Sequence, residues 1–114
     1  VYCLDANTGQ HFWTHDMKAH MWGSTMVADG KVYVGDEDGD LVVLAASKEK
    51  KILSKMTENG REVDGPNLGA PVYSTPVVDN GVLYIASNTH LYAIYDEARA
   101  KAVSDQPQKI ELKK

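Results

Sequence analysis

One four-residue pattern occurs three times along the chain. Val1-Tyr2-Cys3-Leu4, Leu41-Val42-Val43-Leu44 and Leu91-Tyr92-Ala93-Ile94 start 40 and then 50 residues apart (41 − 1 and 91 − 41). A longer correspondence joins the last two copies. Trp22 to Gly30 reads WGSTMVADG and Val72 to Gly81 reads VYSTPVVDNG, pairing Ser24-Thr25 with Ser74-Thr75, Val27 with Val77 and Asp29 with Asp79. With Asn80 taken as one extra residue, Lys31-Val32-Tyr33-Val34 then aligns with Val82-Leu83-Tyr84-Ile85. A unit of this size cannot bury a hydrophobic face by itself, so successive units must stack on one another.

The units read as β-structure. KVYVG, DLVVL, GVLYIAS and HLYAIY are short runs rich in Val, Ile, Leu and Tyr, and turn residues bound them. Asp29-Gly30 and Asn80-Gly81 each separate two such runs, and both dipeptides favour the positive φ angles of tight hairpins. No sustained helical stripe precedes Asp96. The pattern predicts an all-β fold of consecutive four-stranded antiparallel propeller blades. The first blade contributes only its last two strands within residues 1–16 (about 1–6 and 10–16). A complete blade fills 17–57, with strands near 20–28, 31–36, 40–46 and 51–57. An inserted loop at 58–69 leads to a terminal blade at 70–112, with strands near 70–78, 81–87 and 90–96 and a degenerate last strand. A closed ring needs at least four blades, so these two and a half form an incomplete ring whose edges require partners, either further blades or a second copy.

Bulk composition narrows the functional classes. The net charge of −4 gives no electrostatic reason to expect nucleic acid or an anionic membrane as partner. No apolar run approaches the roughly 20 residues of a membrane helix. Cys3 is the only cysteine, so no disulfide can form within the chain. The sequence opens inside a strand-like run without Met, which reads as a piece of a longer protein with any targeting signal upstream.

A more specific pattern begins at Cys3. Cys3-Leu4-Asp5-Ala6-Asn7-Thr8-Gly9-Gln10-His11-Phe12-Trp13 resembles the tryptophan-docking motif of pyrroloquinoline quinone (PQQ)-like propeller repeats, the group of the quinoproteins and of outer-membrane assembly lipoproteins. That motif runs Ala-x-Asp-x-x-x-Gly-x-x-x-Trp; Cys3 replaces the Ala, and Asp5, Gly9 and Trp13 match as structural docking residues. Ser24-Thr25-Met26 and Ser74-Thr75-Pro76 fall where the family has its Ser-Thr-Pro step, so the resemblance covers residues 1 to about 96. Asp-Ala-Asn-Thr-Gly is itself a turn sequence, and a Trp four residues on offers a large area for burial against a neighbouring blade's backbone. Later copies depart from the motif. Glu49 and Leu53 stand at the Gly and Trp positions of one, Arg99 and Val103 at those of the other, and Lys109-Ile110-Glu111-Leu112 offers a final strand.

Residues with chemical potential are few. Asp36, Asp38 and Asp40 surround Gly39 as carboxylates do in a calcium loop, yet the same hairpin in the next blade reads Ser87-Asn88-Thr89-His90 and turns without them. The distal Glu of an EF-hand is missing as well, so the turn reads as architecture, with a weak cation site as the alternative. His11 and His15 share a strand face but stand about 13 Å apart, too far for one metal. Ser24 and Ser74 read as packing residues, and no catalytic residue is assigned. If the blades follow the family path, residues 17–21 and 58–70 and the hairpin at 36–40 meet at the funnel rim. His20, Trp22, Arg61 and Asp64 are then the residues placed to meet a ligand. The resemblance implies a C-terminal propeller fragment acting as a scaffold or as a ligand- or protein-binding module, in the periplasm or outside the cell. Its alternative is part of a quinoprotein dehydrogenase that uses PQQ and calcium, with catalytic residues in other blades.

Overall fold

The computed structural model describes residues 1–96 and Ala98. Arg99, Val103 and the 109–112 strand expected from the sequence lie outside the described residues. The strands are β1 (Tyr2–Leu4), β2 (His11–Thr14), β3 (Met26–Ala28), β4 (Lys31–Gly35), β5 (Leu41–Ala45), β6 (Met56–Glu58), β7 (Arg61–Val63), β8 (Val77–Asp79), β9 (Val82–Ala86) and β10 (Leu91–Ile94). They form four small antiparallel sheets ordered β1-β2, β3-β4-β5, β6-β7 and β8-β9-β10. The fold is all-β, an incomplete propeller with one partial blade and two fuller ones.

Local chemistry sets the hairpins. Asp29 and Gly30 adopt φ of 50° and 70°, and Asn80 and Gly81 adopt 50° and 76°. Positive φ at both central residues is the primed turn whose twist matches that of paired strands. A third turn of the same kind, Asn59-Gly60, joins β6 to β7 with φ of 49° and 76°. It falls at the start of the segment expected as an inserted loop, so that segment opens with a strand pair, Met56↔Val63 to Glu58↔Arg61.

The hairpins also correct the alignment of the repeat. Val27 pairs with Val32, and Val78 pairs with Leu83. Both partners are therefore 51 residues apart, and Asn80 occupies the place of Asp29. The Glu37 N–H donates to the His20 carbonyl, and the Asn88 N–H donates to that of Pro71, both at 2.9 Å and again 51 residues on. The equality of Ser24-Thr25 with Ser74-Thr75 is thus one residue out of structural register. The fourth strand of the middle blade is also shorter than expected. Ile52 bridges Leu44, Ala45 donates to the Lys51 carbonyl, and the chain then leaves to form β6.

Alternation along the central blade divides the core in two. Val32 and Val34 of β4 join Val42 and Leu44 of β5 in a cluster with Trp13 and Cys3 of the first blade. Tyr33 and Leu41, one position out of phase, face a second cluster with Val72, Leu83 and Ile85 of the third blade. A strand's side chains point alternately to opposite faces, so each blade supplies one face to each neighbour.

Candidate functional site

Two features of the molecule bear on function, a cleft at the loop end and the uncovered sheet faces. The loop end is organised by the Asp36–Asp40 turn. Asp36 is fully buried, and its Oδ1 accepts the Asp40 N–H at 2.9 Å. Its backbone carbonyl accepts N–H bonds from Gly39 at 3.1 Å and from Val72 of the third blade at 2.9 Å. Ser87 has the corresponding role in the next blade, where its Oγ accepts the His90 N–H at 3.1 Å. The acidic side chain therefore works as a turn cap that a hydroxyl can replace. Burial raises the Asp36 pKa, and the bond from Asp40 opposes that shift. Asp40 is engaged through Oδ1 with the Asn67 Nδ2 amide at 2.8 Å, while Asp38 remains exposed. Among the described residues no three His, Cys, Asp or Glu side chains converge to hold a metal ion.

Beside this turn lies a cleft of about 400 Å³, with Lys18, Asp38, Asp40, Glu62, Asp64 and the buried His15 in its wall. His15 Nε2 stands 3.7 Å from Asp64 Oδ2, and its Nδ1 is buried without a partner. Burial, reinforced by Lys50 and opposed by Asp64, pushes the imidazole pKa below its usual 6.5. A neutral ring with one open nitrogen can accept or donate one hydrogen bond at neutral pH.

The four residues expected at the funnel rim separate into three places. His20 and Trp22 come together on Glu37, whose Oε2 takes contacts from His20 Nδ1 at 3.2 Å and from the Trp22 indole N–H at 3.3 Å. Asp64 enters the cleft with His15, while Arg61 opens β7 opposite Glu58, exposed on the hairpin. From the sequence, His15 was weighed only as a metal ligand beside His11, and Glu37 lay in the rim hairpin without being placed to meet a ligand. The signal for His15 was its place two residues after Trp13, on the same inward strand face.

The N-terminal turn and Trp13 form one structural unit. Asp5 Oδ1 accepts the Asn7 and Thr8 N–H groups, each at 2.9 Å, and these bonds hold its pKa below the usual carboxylate value. Gly9 takes φ 74° and donates to the Asp5 carbonyl. The chain then returns as β2, placing Trp13 opposite Cys3 and against the second blade. The indole N–H donates to the Ser47 carbonyl at 2.8 Å.

The uncovered faces are revealed by comparing the copies. Leu41 is 3% exposed beneath the third blade, whereas Leu91, its equivalent in the third blade, is 74% exposed. On the opposite side Val42 and Leu44 are 3% and 0% exposed against the first blade. Their equivalents in the first blade, Tyr2 and Leu4, are 72% and 54% exposed. The same positions are core where a neighbour exists and surface where the described residues provide none.

The family model described as outer membrane protein assembly factor BamB matches residues 1–103, the greater part of the chain. A search of curated proteins gives no match. No helix among the described residues is long and apolar enough to cross a membrane. Repeated antiparallel blades, the Asp5–Trp13 turn-and-strand unit and this match agree: the chain belongs to the PQQ-like propeller-repeat family described as outer membrane protein assembly factor BamB.

Proposed function

We propose that the chain is a non-catalytic segment of a propeller scaffold that binds other proteins, working in the periplasm or outside the cell. The observation that carries this reading is the contrast between Leu41, 3% exposed, and Leu91, 74% exposed, at equivalent places in successive blades. A surface that repeats a buried interface is shaped to receive another sheet, and large bare apolar faces on soluble proteins mark interaction sites. The description of the family as an assembly factor supports the same reading. PQQ and calcium belong to the rival dehydrogenase reading, in which the catalytic residues lie in other blades.

Native mass spectrometry and sedimentation of the purified chain test the proposal. The expected result is concentration-dependent association that the Leu91→Asp variant abolishes. A chain that stays monomeric at every concentration overturns the scaffold reading. A bound mass with quinone absorbance moves the assignment to the dehydrogenase.

A further inference from the structure

We infer that the cleft beside the Asp36–Asp40 turn binds an organic cation, a guanidinium or primary ammonium group on an alkyl stem, held between His15 and Asp64. The site lies inside the junction of the first two blades and does not depend on the bare sheet faces, so it goes beyond the scaffold reading.

The buried histidine is the observation that calls for a ligand. His15 is 4% exposed and lines the cleft. Its Nδ1 has no partner, and its Nε2 stands 3.7 Å from Asp64 Oδ2, beyond hydrogen-bond reach. Buried polar groups are as a rule paired, so an unpaired one in a cleft wall marks a missing partner. The 3.7 Å gap lets one N–H-bearing group sit about 2.9 Å from both Nε2 and Oδ2. Burial keeps the ring below its usual 6.5, hence neutral at pH 7, so Nε2 can accept. Nδ1 is unpartnered in either tautomer, so accepting through Nε2 leaves no further group unpaired.

The surrounding charge selects a cation. Asp16, Asp38, Asp40, Glu58, Glu62 and Asp64 line the cleft, against Lys18 alone. Two of these carboxylates are engaged, Asp40 with the Asn67 amide at 2.8 Å and Glu62 with Lys55 Nζ at 2.9 Å. Asp38, Glu58 and Asp64 are exposed. The acids do not converge on one point, so the arrangement suits a charge spread over several N–H donors rather than a metal ion. Met17, Val42 and Val63 give the cleft an apolar wall, as the methylene stem of such a cation requires. A volume of about 400 Å³ is within the range of small-ligand sites.

The wall that carries Asp64 is fixed in advance. The Leu41 N–H donates to the Pro66 carbonyl at 2.9 Å, Ser54 Oγ donates to the Asp64 carbonyl, and Asn67 Nδ2 donates to the Asp38 carbonyl at 2.9 Å. Gly65 leaves no space for a Cβ, which would collide with the Leu41 carbonyl oxygen. With its backbone held against β5, Asp64 has less left to order on binding. Glu58, Glu62, Asp64 and Asn67 all come from the 58–69 segment, which stands outside the repeat, where a scaffold commonly carries its binding residues.

The test is nuclear magnetic resonance of the 114-residue chain with ¹⁵N-labelled histidine, titrated with n-butylguanidinium. The expected result is a saturable shift of the His15 Nε2 signal, with His11 and His90, outside the cleft, unmoved. Asp64→Asn should weaken binding on the order of tenfold, the effect of one hydrogen bond between charged groups. Lys18→Gln, which removes the competing charge, should tighten it, and Glu49→Gln, an exposed acid elsewhere, should leave it unchanged. Glu58→Gln, on the exposed β6–β7 hairpin, should also weaken binding and serves if Asp64→Asn folds poorly. Agmatine and an acetyl-Gly-Arg-Gly-amide peptide separate the sources of the cation. Tighter binding of agmatine assigns a free diamine-like molecule, and tighter binding of the peptide assigns a basic side chain of a partner protein. A His15 signal that no cation moves, that moves as far at the same concentrations in Asp64→Asn, or that calcium moves equally overturns the inference. Association through Leu91 is not read by this titration, so the cation site and the scaffold reading can each fail alone.

Discussion

Replacing Trp13 with Ala removes the largest side chain that the first blade contributes to the core. The ring is 6% exposed and packs on Val34, Val42 and Leu44 of the second blade. A buried aromatic of this kind removes about 150–250 Å² from water. At about 25 cal/mol per Å² that area is worth about 4–6 kcal/mol. Residual burial in the unfolded chain lowers the figure, and Trp→Ala substitutions in cores cost about 3–5 kcal/mol. The Ser47 carbonyl, which accepts the indole N–H at 2.8 Å, also loses its partner. Trp13→Phe keeps most of the apolar contact and isolates that bond, so it should cost about 1–2 kcal/mol. Urea unfolding followed by far-ultraviolet circular dichroism measures both variants. The other tryptophan, Trp22, is exposed, so the fluorescence change on unfolding the parent chain should come mainly from Trp13 and largely vanish in Trp13→Ala. A loss below about 1 kcal/mol for Trp13→Ala would refute the claim that this ring fastens the first blade to the second.

The bare faces predict that Leu41→Ala costs about 2–5 kcal/mol in urea unfolding, whereas Leu91→Ala in the isolated chain stays within about 0.5 kcal/mol; equal costs would show that the two copies are not in different environments. Two buried groups give stability opposite pH slopes. His15 is held below its usual 6.5, so the unfolded chain takes up the proton first and stability falls as pH drops below 6.5, a slope that His15→Gln should remove in thermal melts. Asp36 is held above 3.8, so its contribution is complete below that pH and is lost as pH rises through the folded-state pKa, a slope that Asp36→Asn should flatten. Gly39 has φ 90°, and a Cβ there would stand 2.7 Å from the Ala70 carbonyl oxygen; Gly9 has φ 74° with nothing near. Gly39→Ala should therefore destabilise by clearly more than the roughly 1–2 kcal/mol expected from backbone strain alone at Gly9→Ala. Because the Asp36 carboxylate points inward, calcium should leave the melting temperature unchanged in the parent chain and in the Asp36→Asn/Asp38→Asn double variant, and a calcium-dependent shift confined to the parent would establish a cation site.

What could be read before the structure was whatever depends on short stretches of chain. The Asp29-Gly30 and Asn80-Gly81 turns are local chemistry, and alternation in KVYVG and LVVL sets which residues face which way. Relations between distant residues were less visible. The identity of Ser24-Thr25 with Ser74-Thr75 suggested an extra residue at Asn80, but the turn dihedrals and strand pairings place no insertion there. Side-chain identity slid by one position while backbone geometry held. The β6–β7 pair was missed because Met56, Thr57 and Glu58 are all exposed and leave no alternation to detect. The sequence marked Asp36 as part of an acidic turn but not as buried, since nothing within that turn shows that Val72, 36 residues away (72 − 36), closes over the backbone there. The Ser47 carbonyl under Trp13 was equally remote.

The alternation in β4 and β5 has a consequence for how this architecture divides its tasks. Every inward side chain of the middle blade lies at a junction with a neighbour, Val34 and Leu44 toward the first blade and Leu41 toward the third. The blade therefore has no private core, and stability is a sum over junctions in the manner of stacked repeats. Positions at the junctions cannot vary freely, because a change on one face must be answered by the adjoining blade. At the loop end the backbone of Asp36 and Gly39 is held against the third blade, but the exposed side chains are under less constraint. Asp36 to Asp40 and Ser87 to His90 close equivalent hairpins with a corresponding backbone bond, at 3.2 Å and 2.9 Å, yet the first turn is acidic and one residue longer and the second is neither. Sheet faces specify how the blades pack on one another, and the turns above them differ in side chain from copy to copy. The His20–Glu37–Trp22 group and the His15–Asp64 cleft both sit at that loop end, where two blades with nearly the same backbone present different chemistry.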